Sequence, residues 1–195
     1  MTYILSFIVA FGVAAIAGQI LIPVLRRLKA GQSIREDGPT WHMSKQGTPT
    51  MGGLMFILAI AVAVLVAGWE ELRMGGRNHL YVFLFALVFG IIGFVDDFQK
   101  LRHHANEGLT APQKFLLQLA AAIAFTVLLR QEGYLTPNLY LPFFNTEIIL
   151  PWVVYMIFAA FVMVGTVNAV NLTDGIDGLA TGTSIPAVWK LWAPS

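Results

Sequence analysis

A polytopic, all-α integral membrane protein is the fold class this sequence predicts, and three observations predict it. Apolar residues make up 57% of the chain and charged residues only 12%, about half the charged share of an ordinary soluble domain. Mean hydropathy is +0.71. The apolar residues also gather into five stretches near the ~20 residues that a helix needs to cross a hydrocarbon core. A soluble chain of 195 residues needs far more polar surface to stay dispersed. The net charge of +1 supplies no basic field, so nucleic acid is not an expected partner. Cysteine is absent, which excludes disulfides, thiolate zinc sites and cysteine nucleophiles.

The stretches run near Tyr3–Leu25, Gly52–Trp69, Leu80–Val95, Phe115–Leu129 and Ile148–Val170. Together they predict one membrane domain over 1–195. The first is no cleavable signal, because no basic residue precedes it and no small-residue cleavage site follows. Helical amphipathicity is weak in all five, as expected where lipid surrounds a helix. Trp69 and Trp152 stand where interfacial anchors belong. His42, His79, His103 and His104 read as loop residues, and the adjacent pair His103–His104 would make a poor metal site.

Lys and Arg set the orientation. Arg26, Arg27, Lys29, Arg35 and Lys45 follow the first stretch, and Lys100, Arg102 and Lys114 follow the third. The opposite loops hold Arg73, Arg77 and Arg130. Eight against three places the first set in the cytoplasm and the amino terminus outside. Three unusual polar segments then share the cytoplasmic face: Lys45 to Gly53, Asp96–Asp97, and Asn168 to Asp177.

Asp96 and Asp97 follow the apolar run 89–95 directly. A carboxylate at the centre of a span costs ~2.5–3.5 kcal/mol, less near the interface. Two adjacent acids repel, and hard oxygen ligands suit Mg²⁺, which uses one or two carboxylates plus substrate phosphates. The alternative is a solvated acidic helix end helped by Lys100. Asn168, Asn171, Asp174 and Asp177 recur every third residue after a long apolar stretch, a spacing that brings side chains near one another on a helix. Such amides and carboxylates suit a nucleotide or a metal; the alternative is a capped helix end followed by glycine turns. In the segment 45–53, glycines allow tight turns, Lys45 offers phosphate a point charge, and Thr48 and Thr50 offer hydroxyls. An interfacial turn accounts for these residues equally well.

Taken together, Lys45-Gln-Gly-Thr-Pro-Thr-Met-Gly-Gly53, Phe94-Val-Asp-Asp-Phe-Gln-Lys100 and Asn168-Ala-Val-Asn-Leu-Thr-Asp-Gly-Ile-Asp-Gly-Leu179 resemble the signature segments of the phospho-N-acetylmuramoyl-pentapeptide transferase family. The likeness extends from Ile34 to about Pro186. It implies a multi-pass enzyme of the bacterial inner membrane with a cytoplasm-facing, Mg²⁺-dependent site. Phospho-MurNAc-pentapeptide would pass from UDP to undecaprenyl phosphate, giving lipid I and UMP for peptidoglycan synthesis. Asp96 and Asp97 match the family's catalytic, metal-binding acidic pair, the first often proposed as a base. Lys45, Thr50, Asn168, Asn171, Asp174 and Asp177 fall in its substrate-binding segments. Members are commonly homodimers of about ten spans.

Five spans predict a truncated or frame-shifted product, with a further metal-ligating aspartate and a triple-histidine segment of the family missing. His103–His104 do not replace that segment. Three other readings compete. A sister transferase would load GlcNAc-1-phosphate onto the same lipid, but residues 45–53 favour the muramoyl-peptide enzyme. An inactive membrane fragment would act only as a scaffold. A transporter would carry polar groups along the middles of its spans, whereas here they gather at one face.

Overall fold

The computed structural model describes residues 2–28, 49–103, 108–174 and 178–192. Lys45 and Asp177 lie outside these residues, as do His42 and His104. Seven helices and one β-ribbon are described, in two compact units, Met1–Leu117 and Gln118–Ser195.

The first unit begins with α1 (Thr2–Arg27), α2 (Gly53–Ala67), α3 (Trp69–Arg73) and α4 (Asn78–His103). At ~1.5 Å per residue, the 26 residues of α1 and of α4 each reach about 39 Å, enough to cross a bilayer. α1 packs along α2, and α2 also meets α4. Small residues permit the close approach: a Cβ at Gly90 of α4 would lie 2.6 Å from Ile57 Cδ1 of α2. Membrane helices rely on such small residues because lipid is as apolar as their side chains.

The second expected span differs from expectation. α2 holds 15 residues, about 22 Å, and breaks at Gly68, whose N–H donates to Val64 O. The His79 ring fills the space beside Gly68, where a Cβ would lie 2.8 Å from Nε2. His79 therefore belongs to the first turn of α4, not to a loop, and its Nδ1 lies 3.4 Å from Glu71 Oε2. His103 is likewise the last residue of α4 and no loop residue.

α5 (Ala111–Gln131) runs from the first unit into the second. The second unit continues with β1 (Asn138–Leu141), β2 (Thr146–Ile149), α6 (Trp152–Thr173) and α7 (Leu179–Trp192). The antiparallel register pairs Asn138 with Ile149 and Leu141 with Thr146. The ribbon corrects the fifth expected stretch: residues 148–149 are strand, and Pro151 caps α6 at Trp152. Arg130 in the last turn of α5 sets its guanidinium 4.2 Å over the Trp152 ring. Among the described residues four helices, α1, α4, α5 and α6, are long and apolar enough to cross a membrane. The chain is an all-α polytopic membrane protein with one short β-ribbon.

Candidate active site

α4 does not stop where its apolar run stops. It continues through Asp96, Asp97 and Lys100 to His103, so the acids sit within a helix and Lys100 falls one turn after them. Lys100 Nζ donates to Asp96 Oδ2 at 2.8 Å and to Asp97 Oδ1 at 3.1 Å. Lys114, in the first turn of α5, brings its Nζ to 3.5 Å from the same Asp96 oxygen. The other Asp96 oxygen, Oδ1, accepts the Leu109 N–H at 2.9 Å.

Burial separates the two acids. The Asp96 side chain is 8% exposed and that of Asp97 32%. Asp96 is thus no solvated helix end: it is a buried carboxylate with every oxygen partnered, as a buried charge must be. Gly108 makes room for the returning chain, since a Cβ there would collide with the Asp96 carbonyl oxygen. The mutual repulsion of the acids is offset by Lys100 and Lys114, a near-neutral set of two anions and two cations. Among the described residues Oδ2 of Asp97 accepts no hydrogen bond. That oxygen suits a hard cation, whereas both Asp96 oxygens already face cationic or N–H donors. No group of three or more acidic or histidine side chains placed to hold a metal occurs among the described residues. Among the described residues the pair thus offers a cation one open carboxylate oxygen, on Asp97.

Within the second unit, Asn168 occupies α6, and its Nδ2 donates to Gln118 Oε1 at 2.7 Å and to Val164 O at 2.8 Å. Both amide hydrogens are used, which leaves its oxygen to accept. Gln118 is 2% exposed; a polar side chain inside the apolar stretch 115–129 was the available signal for it. Asn171 and Asp174 are exposed, so the three-residue row drifts off the Asn168 face. Asp174 caps α6, its N–H donating to Val170 O. Thr50 is half-buried just before α2. The sequence reading named neither Lys114 nor Leu109 as a site residue: a lysine from another helix and a backbone amide leave no local pattern.

Long apolar helices, with a lysine-compensated carboxylate pair within the last turns of one of them, define an integral membrane protein with a built acidic site. Residues 79–193, more than half of the chain, match the family described as Glycosyl transferase family 4. The chain belongs to that family. Residues 45–57 match phospho-N-acetylmuramoyl-pentapeptide-transferase signature 1. Relatives named phospho-N-acetylmuramoyl-pentapeptide-transferase are similar along most of the chain. The one from Staphylococcus carnosus (strain TM300) is 47% identical over 190 residues, 96% of this chain and 58% of the relative. That from Staphylococcus saprophyticus is 47% identical over 189 residues, 95% and 57%. That from Staphylococcus aureus (strain bovine RF122 / ET3-1) is 48% identical over 169 residues, 85% and 51%. The chain thus spans little more than half the length of these curated relatives.

Proposed function

We propose that this chain forms part of a transferase that moves phospho-MurNAc-pentapeptide from UDP to undecaprenyl phosphate, with its site on the cytoplasmic face of the bacterial inner membrane. The observation that carries the reading is the 47% identity over 96% of the chain to a relative bearing that transferase name. The acidic pair supports it chemically. A lipid phosphate oxygen attacks the sugar-bearing phosphorus of the diphosphate; a new P–O bond forms, and the bond to UMP breaks as UMP departs with the electron pair. Two anions must meet for this, and the like-charge repulsion is the main obstacle.

A bound Mg²⁺ would supply charge neutralisation there. Asp97, through the oxygen that accepts no hydrogen bond among the described residues, would be the residue to hold it, with Asp96 beside it. Lys100 and Lys114 keep Asp96 ionised and fixed in place, which positions the end of α4. Both Asp96 oxygens accept hydrogen bonds or ion pairs, so Asp96 is better placed to orient than to abstract a proton. Little proton removal is needed, since a phosphate's second pKa is about 6. Asn168, with its remaining acceptor oxygen, together with Asn171 and Asp174, offers groups for the nucleotide. Lys45, Thr50 and Asp177 are proposed substrate contacts on the sequence resemblance alone.

The test uses a chimaera in which this chain replaces the matching part of the Staphylococcus carnosus relative. Membranes carrying it should release UMP from UDP-MurNAc-pentapeptide in the presence of undecaprenyl phosphate and Mg²⁺, and EDTA should stop the release. Asp96→Asn and Asp97→Asn should each lower the rate by at least ~10²-fold, the lower range for loss of a catalytic group. Glu132→Gln, an exposed acid just beyond α5, should leave it unchanged. Release only with UDP-GlcNAc, or full rates in both aspartate variants, would overturn the reading.

A further inference from the structure

We propose that the β1–β2 ribbon is a membrane-interface anchor that seats Phe143 and Phe144 in the lipid headgroup region. The inference does not depend on the function proposed above. Phe143 is 97% exposed and Phe144 78%, at a tip where Phe144 N–H donates to Leu141 O and Asn145 takes a left-handed φ of 45°. Pro142 favours this turn, and Asn tolerates that backbone. Large aromatics so fully bare are costly in water.

Register makes the ribbon two-faced. Side chains of paired residues share a face. One face carries Asn138, Tyr140, Glu147 and Ile149; there Asn138 Nδ2 donates to Glu147 Oε2 at 3.4 Å and Tyr140 Oη to Asn145 Oδ1 at 2.6 Å. The other carries Leu139, Leu141, Ile148 and Thr146. Between Glu132 and Trp152 the sole charged residue is Glu147, an unusual composition for a segment facing water on both sides.

Lipid is the occupant because of where the ribbon is tied. Two residues separate Ile149 from the first residue of α6, and six separate Gln131 of α5 from Asn138. Arg130 over Trp152 holds the last turn of α5 against the start of α6, and Trp favours the membrane–water boundary. Four-residue strands extend about 13 Å from that level. The ribbon can therefore lie along the interface, apolar face and tip toward lipid, polar face toward water, as amphipathic helices do.

With no native cysteine, Phe144→Cys provides a unique site for an environment-sensitive fluorophore, and Glu147→Cys provides its counterpart on the polar face. The labelled chains are placed in lipid nanodiscs, both faces of which are open to solvent. Position 144 should emit at shorter wavelength, be quenched by lipid carrying a nitroxide near its headgroup, and show at least about twofold less iodide quenching than position 147. Phe143→Cys should repeat the result. Strong iodide quenching at 144, shielding there from both quenchers (cover by protein), or equal lipid quenching at 144 and 147 would each overturn the proposal.

Discussion

At the scale of single residues, Lys100 decides how a buried carboxylate is tolerated at the end of α4. Its ammonium serves two acids at 2.8 and 3.1 Å, while Lys114 serves one at 3.5 Å. Removing Lys100 leaves Asp96 buried beside a more distant cation. Loss of one partner of a fully buried pair costs ~3–5 kcal/mol; Lys100 is part-exposed and Lys114 remains, so about 1–3 kcal/mol is expected. Lys100→Met should therefore lower the thermal midpoint in detergent, more than Lys114→Met does. Adding Asp96→Asn should recover much of the loss, because the uncompensated charge goes with it and the Leu109 N–H keeps an acceptor. A double variant as unstable as the summed single variants would show that burial of this charge is not what the lysines offset.

At the scale of elements, the long helices were legible and their polar ends were not. Apolar runs located α1, α4, α5 and α6 because lipid demands continuous apolar residues with every backbone group paired internally. The same criterion ended the third span at Val95, two turns before α4 ends, since a helix needs no apolar side chain where lysines pair its acids. It also merged residues 148–150 with α6: a short strand beside a span adds apolar residues without a break in hydropathy. Pro142, Asn145 and Pro151 were the turn and cap signals that hydropathy ignores. The candidate polar groups legible in the sequence were Asp96–Asp97 in the first unit and Asn168 in the second, whose types are costly in a membrane. Gln118, the unsuspected partner of Asn168, makes a sharper test. Gln118→Met keeps bulk but deprives Asn168 of an acceptor, and such membrane hydrogen bonds average about 0.6 kcal/mol, at most ~1.7. A thermal-midpoint loss of that modest size is expected, abolished when Asn168 is already Ala. An undiminished effect in the Asn168→Ala background would mean that Gln118 acts by packing alone.

For the whole molecule, the open question is whether α2 crosses the bilayer. Its 15 residues give about 22 Å against a hydrocarbon core of ~30 Å. Charge counting does not decide: if α2 failed to cross, Arg73, Arg77 and Arg130 would join the loop after α1, and Lys100, Arg102 and Lys114 would again be three against eight. Packing favours crossing. α2 lies along α1 and also meets α4, each of which is long enough to span. α2 holds no charged residue, and the first acids appear at Glu70 and Glu71, just past Trp69. A shortfall of a few ångströms costs only fractions of a kcal/mol per ångström, met by local thinning, whereas a re-entrant turn at Gly68 would bury the charges of α3 in lipid. Crossing also brings the start of α2 to the same face as Asp96, which the proposed chemistry needs. Single cysteines at Leu28, Met74 and Thr110 check this with an impermeant thiol reagent applied to sealed, oriented vesicles. Positions 28 and 110 should react from one face and position 74, bare on its turn after α3, from the other. Leu28 and Met74 reacting from the same face would make α2 re-entrant and would separate the signature at 45–57 from the carboxylate pair.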